Sequence, residues 1–368
     1  MQCQYFGTCG SCTTFDMSYE AQLQMKKEKL EELFEPLHVR EFEIYDSVSE
    51  HYRNRAEFRI WHEKETISYA MGKSDKKGIV QIERCPKVAK LIYDLMPLLK
   101  EKLEENKILR EKLFAVEFLH GAKNMLVSLL YHKPIDEAWE EEARKLEVCL
   151  HVNIIGRSRK IKKTLSQDYV IDSLNIDGKE FLYKIIEGGF SQPNSFVNKK
   201  MIQWALSKVQ NPRDLLELYC GHGNFTLPLS QKFDKVLATE ISKSSISSAQ
   251  SSCELNDISN IQFLRMSVED LTSAFNKERK FNRLREIDLS KFHFSHVFVD
   301  PPRAGIDTKS LEFLKRFDTI IYISCNPITL KRDIEYLKEY EISDFVLFDQ
   351  FPYTLHVESG AILKKRKI

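Results

Sequence analysis

The chain has 368 residues, 42% hydrophobic and 30% charged, which suits roughly two cored domains and is too apolar for a disordered chain. Lys plus Arg number 55 against 54 Asp plus Glu, a net charge of +1, which neither demands nor excludes a nucleic-acid partner. No apolar run reaches the ~18–20 residues of a membrane helix, and Met1-Gln2-Cys3-Gln4-Tyr5 has no basic region followed by an apolar stretch, so a cytoplasmic protein without signal peptide or membrane contact is expected.

In a cytoplasmic chain the eight cysteines are expected to be reduced. Cys3, Cys9 and Cys12 leave gaps of five and two residues, with Gly10 allowing a tight turn. Such crowding can wrap a metal centre, although it is neither a pair of zinc-ribbon CxxC motifs nor the ferredoxin spacing. Residues 18–37 read as a helix with Leu23, Leu30, Leu33, Phe34 and Leu37 on one face. Residues 56–61 alternate like a half-buried strand, with 66–71 and 78–82 as pairing candidates. Residues 88–103 and 136–148 look helical, and 124–131 looks like a strand. Up to about Ile185 this mixture predicts an α+β module.

Arg53, Arg55 and Arg59 interleave with Tyr52, Phe58 and Trp61. That pattern suits phosphate contact with base stacking, and equally an ordinary strand with solvated charges. Residues 157–163 hold five cations in seven positions, Lys364-Lys365-Arg366-Lys367 form a second basic run, and acidic charge gathers at 137–142. Basic runs of this kind predict salt-sensitive RNA binding. Cys149 and Cys253 fall in helical patterns and are expected to be buried.

From about residue 186 strands and helices alternate. Strands are predicted at 214–218, 235–239, 261–265, 296–299, 319–324, 345–348 and 357–363, with a helix at 242–255. Residues 275–294 read as a charged surface insertion. This rhythm implies a doubly wound, mostly parallel sheet of the α/β class. Division is expected at 1–185 and 186–368.

Ligands of such sheets bind beyond the carboxyl ends of the strands. Tyr219-Cys220-Gly221-His222-Gly223-Asn224 follows one strand, and Glu240 ends the next, where a carboxylate can accept from both ribose hydroxyls. The third glycine of a dinucleotide fingerprint is missing. S-adenosylmethionine needs a ribose carboxylate but no pyrophosphate site, so it fits better than a dinucleotide, with an ordinary tight turn as the other reading. Asp300 stands at a third strand end, before Pro301-Pro302. Cys325 stands at a fourth, between Ser324 and Asn326-Pro327, and reads as a buried thiol or as a nucleophile.

SQPN (191–194), LLELYCGHGNF (215–225), ATEI (238–241), FVDPPRAG (298–305), YISCNP (322–327) and FDQFPYTLHVESG (348–360) together resemble the RNA 5-methyluridine methyltransferase family. HYRNRAEFRIWH (51–62) and LLYHK (129–133) are similar to its bacterial tRNA (uracil-5-)-methyltransferase branch. The resemblance covers nearly the whole chain. It implies a Rossmann-like S-adenosylmethionine-dependent methyltransferase domain after an N-terminal α+β RNA-binding module that includes the cysteines. It implies methylation of carbon-5 of a T-loop uridine, position 54 of tRNA, or of another RNA with a T-loop-like hairpin, by a monomeric enzyme.

Covalent catalysis is implied as well: a thiolate adds to carbon-6 of uracil and a base removes the carbon-5 proton. Cys325 matches the nucleophile and Glu358 the base, with His356 as a candidate for orienting it. Gln192, Tyr219, Asn224, Glu240 and Asp300 match cofactor-binding positions, Gln192 also lying near substrate. Cys220 and His222 are assigned packing roles. Related rRNA enzymes hold a [4Fe–4S] cluster on a similar cysteine segment, followed by a helix with a glutamine (here Gln22) and a cysteine before proline. Cys3, Cys9, Cys12 and Cys85 match that set, with zinc as the alternative occupant. The familiar tRNA members lack these cysteines, so an rRNA uracil-5 methyltransferase is one alternative, although a chain that starts at the cysteines leaves no room for the N-terminal β-barrel of some rRNA members. A tRNA-folding chaperone is the other.

Overall fold

In a computed structural model, residues 1–366 are described; Lys367 of the C-terminal basic run lies outside them. In chain order the strands are β1 (Glu43–Tyr45), β2 (Arg55–Glu63), β3 (Thr66–Gly72), β4 (Ile79–Ile82), β5 (Leu113–His120), β6 (Met125–Tyr131), β7 (Asn153–Ser158), β8 (Ile161–Thr164), β9 (Tyr169–Ile176), β10 (Lys179–Ile186), β11 (Asp214–Leu218), β12 (Lys235–Glu240), β13 (Ile261–Arg265), β14 (Phe294–Val299), β15 (Thr319–Ser324), β16 (Tyr340–Phe348) and β17 (Glu358–Lys365).

The second half builds the expected doubly wound sheet, in the order β1-β16-β17-β15-β14-β11-β12-β13. The neighbours β15-β14-β11-β12-β13 all pair in parallel, and β17 runs antiparallel between β15 and β16. Alternate side chains feed two cores, because a strand's residues point to opposite faces. Leu215, Ile321 and Ile323 pack with Trp204 and Phe225 on one face. Leu216, Ile320 and Tyr322 pack with Leu311 and Leu330 on the other. The order reverses between β11 and β14, which opens the crevice where such folds bind ligands.

The first half forms a sheet ordered β4-β3-β2-β5-β6-β7-β8. Ala56, Phe58 and Ile60 of β2 point inward while Glu57, Arg59 and Trp61 point outward, as the alternation predicts. The inner face packs on the helices Lys90–Glu105 and Glu137–Leu150. The latter buries Trp139, Ala143 and Leu146, which leaves Cys149 exposed, contrary to expectation; Cys253 is buried.

Packing does not follow the division at 185/186. The N-terminal helix, Tyr19–Phe34, places Leu30 and Phe34 in the core beneath the second-half sheet, and β1 pairs in parallel with β16. The β9–β10 hairpin places Val170, Leu174, Phe181 and Tyr183 in the other core. The helix Tyr19–Phe34 presents the predicted leucine face to the core beneath the second-half sheet, with Leu23 and Leu33 packed at its edge, and carries polar residues in its most buried row. Its buried positions are Gln22, Lys26, Leu30 and Phe34, one every fourth residue, and two of the four are polar.

Candidate active site

The loop after β11 bends sharply, with Tyr219, Gly221 and Gly223 all at positive φ. A Cβ on Gly223 would lie 2.6 Å from Leu227, so only glycine fits there. The Gly221 amide donates to Glu240 Oε2 at 3.2 Å. Glu240 Oε1 accepts from the amides of Ile241 and Ser242 at 2.7 and 2.8 Å. Three backbone N–H groups therefore fix the carboxylate at the end of β12. Tyr219, Glu240, Met266 and Val268 line a pocket there, and Ile241 beside it is 70% exposed. A rigid acceptor flanked by an aromatic ring and apolar side chains suits a nucleoside.

Asn224 is placed differently from the expectation. Its amide is paired reciprocally with Asn198, at 2.7 and 2.8 Å, and its carbonyl accepts from the buried Tyr183 hydroxyl. The side chain braces the loop. His222 and Cys220 are buried beside it; burial lowers the His222 pKa to about 4, which keeps the ring neutral, and drives the Cys220 thiol far up.

The next strand ends carry a cluster of acids, amides and one thiol. Asp300 follows β14; it is part-exposed, yet desolvation of its carboxyl raises its pKa. Gln192 Nε2 lies 3.5 Å from Asp300 Oδ2, and Gln192 Oε1 accepts from Gln350 Nε2 at 2.7 Å. Glu358 opens β17. The pairing of Ser324 with Ser359 puts it across from Cys325, one step beyond the paired residues. Glu358 is buried, and among the described residues its Oε2 has no partner. Burial pushes its carboxyl well above the usual range, and nearby Asp300 pushes the same way. Half-buried Cys325 has its thiol raised to about 11, by burial first and then by Glu358 and Asp300, with Arg303 opposing. Four expected residues thus converge: Gln192, Asp300, Cys325 and Glu358. Tyr219 and Glu240 lie at the neighbouring pocket.

A second pocket opens over Cys325, with Arg303, Phe351 and His356 on one side and Ser11, Arg53 and Lys87 on the other. His356 stands edge-on to Phe351 with ring centroids 6.0 Å apart. Among the described residues no hydrogen bond joins its ring to Glu358, so the orienting role expected of it is not seen. A wide depression bounded by Val39, Lys338 and Asp344 contains none of these groups.

The loop from Asp349 to Val357 is gripped from the N-terminus. Lys26 Nζ donates to Asp349 Oδ1 at 2.6 Å and to the Phe351 carbonyl at 3.0 Å. The Tyr19 hydroxyl donates to Asp349 Oδ2 at 2.8 Å. Gln22 Oε1 accepts from the Tyr353 amide at 2.9 Å and from Thr14 Oγ1 at 3.0 Å. Sequence reasoning assigned no role to Lys26, Asp349 or Gln350. The available signal was two polar residues, Gln22 and Lys26, spaced by four in register with Leu30 and Phe34.

Cys3, Cys9, Cys12 and Cys85 line one enclosed cavity together with Tyr5, Met71 and Lys87. Burial lifts the Cys12 thiol to about 11, with Lys87 opposing and the other three thiols adding. Among the described residues no three His, Cys, Asp or Glu side chains are gathered tightly enough to hold a metal ion. The thiols therefore share a cavity without forming the close tetrahedral set that zinc requires.

Residues 18–366 match the family model described as tRNA (Uracil-5-)-methyltransferase. A relative from Sulfurovum sp. (strain NBC37-1), named tRNA/tmRNA (uracil-C(5))-methyltransferase, is 52% identical, with all of both chains covered. One of the same name from Aliarcobacter butzleri (strain RM4018) is 50% identical over the same coverage. The fold is similar to the crystal structure of Pyrococcus abyssi tRNA (uracil-54, C5)-methyltransferase in complex with S-adenosyl-L-homocysteine. That match has a TM-score of 0.74 at 24% identity and covers 96% of this chain and 85% of that one.

Proposed function

The chain belongs to the tRNA (uracil-5-)-methyltransferase family, and on that premise we propose that it methylates carbon-5 of a uridine in tRNA, position 54 of the T-loop. The names of its relatives extend the substrate to the corresponding uridine of tmRNA. The observation that carries this reading is the placement of a thiol and a buried carboxyl, Cys325 and Glu358, across from each other at the ends of the paired strands β15 and β17, in the same sheet whose β12 ends in Glu240. S-adenosylmethionine, when bound, supplies the methyl group as a sulfonium cation. Glu240 would accept from its ribose hydroxyls and Tyr219 would pack against the adenosine, with Asp300 and Gln192 toward the thiol.

Carbon-5 of uracil is a weak nucleophile. Cys325 as thiolate adds to carbon-6, and the electron pair so released makes carbon-5 the atom that takes the methyl. Glu358 then removes the carbon-5 proton, and Cys325 leaves as the carbon-5–carbon-6 double bond reforms. A carboxyl held above its usual range is a stronger base once ionised, and a neighbouring cation favours that ionisation. The target base must be unstacked to reach Cys325, and the pocket over the thiol gives it an entrance.

Cys3, Cys9, Cys12 and Cys85 are proposed to hold a [4Fe–4S] cluster. The support is that the four thiols line one cavity and match the ligand set that the resemblance implies. The cluster would be a structural staple, and no step of the reaction passes through it.

The test uses protein purified anaerobically, unmodified tRNA and labelled S-adenosylmethionine. The T-loop fragment should gain 5-methyluridine, Cys325→Ala should abolish the reaction, and Glu358→Gln should accumulate a denaturation-resistant protein–RNA adduct. The same preparation should contain iron and acid-labile sulfide. An active Cys325→Ala protein would overturn the mechanism; label entering rRNA while tRNA stays unmodified would favour the rRNA reading. A colourless, zinc-loaded protein would refute the cluster.

A further inference from the structure

Arg53, Lys87 and Arg303 come from three separate parts of the chain and meet around the pocket above Cys325. The surrounding wall contains no carboxylate. Among the described residues none of the three forms an ion pair, which sets them apart from the basic run at 157–163. There Arg157 pairs with Glu187, Lys162 with Asp168 at 2.7 Å and Lys163 with Glu140 at 3.0 Å. In the run at 157–163 three of five cations are therefore neutralised, whereas those at the pocket are not.

Lys87 is the least expected of the three. It is only 6% exposed, and a buried ammonium without a counter-charge is costly. Two of its three N–H donors go to Ser11, to the carbonyl at 2.9 Å and the hydroxyl at 2.6 Å. The third is free. Lys87 lines both the cysteine cavity and the Cys325 pocket, so it stands in the partition between them. Arg53 is tied to it through the backbone, Arg53 N to Lys87 O at 2.9 Å. Its Nε donates to the Arg55 carbonyl, leaving the outer guanidinium N–H groups free. Arg303 lies directly over the thiol's loop, its carbonyl accepting from Asn326.

We propose that Arg53, Lys87 and Arg303 form a cationic collar that grips the backbone phosphates flanking the target nucleotide. Through Lys87 and Ser11, the cysteine-bearing loop becomes one wall of the RNA site. Three unpaired cations around a carboxylate-free mouth match two adjacent phosphodiesters, each of which offers charged oxygens to a Lys or Arg. The collar deepens the reading of Cys325 as the uridine-binding nucleophile and rests on it.

The test measures tRNA affinity and steady-state methylation across a series of salt concentrations, for wild type, Lys87→Met, Arg53→Met, Lys87→Arg and Lys162→Met. Each lost phosphate contact should flatten the slope of log affinity against log salt by about 0.7–0.9. Lys87→Met and Arg53→Met should show that loss and a several-fold higher KM for tRNA, with KM for S-adenosylmethionine unchanged. Lys87→Arg should recover the slope. Lys162→Met, which removes an already paired cation, should retain it. Where Lys87→Met melts early, Arg53→Met on a part-exposed side chain decides. Wild-type slopes in both methionine variants would overturn the collar while leaving methylation at Cys325 intact. A wild-type protein that binds tRNA but makes no 5-methyluridine would count against the nucleophile reading instead.

Discussion

Single residues decide how this site is charged before anything binds. With its thiol raised to about 11, Cys325 is held in the neutral thiol form at pH 7. Alkylation of Cys325, followed on its own peptide, should therefore accelerate about tenfold per pH unit between 7 and 9. Burial, Glu358 and Asp300 all raise this pKa, whereas Arg303 lowers it. Removing Arg303 as Arg303→Met should raise it further and slow alkylation at a given pH; Asp300→Asn should do the reverse. A rate that is flat above pH 7 would contradict the raised thiol. Cys325 and Glu240 were legible in sequence because each directly follows or ends an apolar strand. Glu358 was legible only by resemblance, since nothing in its neighbours says that the first residue of β17 is buried. Asn224 shows the opposite limit: its partner Asn198 lies on the helix Ser195–Ser207, and no local pattern reveals that pairing.

At the scale of elements, the second half was readable because parallel strands buried on both faces are short apolar runs of fixed rhythm. The first half was harder. Strand β5 is buried at five of its eight residues in an irregular pattern and shows no alternation to mark it. The β9–β10 hairpin did carry a signal, Asp177-Gly178, both at positive φ, the two-residue turn such hairpins favour. The helix Tyr19–Phe34 was found by its period and its leucines pack as expected, but its second purpose was not, because nothing local says that Gln22 and Lys26 reach the catalytic loop. That grip is testable. Lys26→Met leaves Asp349, fully buried, without its cation, which should cost about 3–5 kcal/mol. Gln22→Ala strands the Tyr353 amide and should cost about 1–3 kcal/mol. Urea titration should show both losses. In conditions where the variants remain folded, kcat should fall because Phe351 and His356 ride on that loop, while S-adenosylmethionine affinity, set at Glu240, should hold. An unchanged kcat in folded Gln22→Ala would refute the positioning role.

For the whole molecule, net charge was a poor guide to partners, because +1 hides a carboxylate-free pocket alongside a basic run, 157–163, in which Arg157, Lys162 and Lys163 are paired with acids elsewhere in the chain. The division of the chain into halves meets a similar limit. Composition changes near residue 186, but the cores do not. Val170, Leu174, Phe181 and Tyr183 from the first half pack with Trp204, Phe225 and Phe348 from the second, and Leu30 and Phe34 cover the opposite face of the same sheet with Leu311 and Leu330. Strand β1 adds an edge to that sheet from before the first-half strands. Domains joined through a small polar interface unfold separately; a core shared on both faces couples them. Calorimetry of the full chain should therefore show a single transition, with calorimetric and van't Hoff enthalpies in agreement. S-adenosylmethionine should move that whole transition upward by mass action, although its pocket lies in one half only. Residues 186–368 expressed alone should aggregate, since both faces of the sheet lose part of their cover. Two resolved transitions, only one of them shifted by the cofactor, would mean that the halves fold independently.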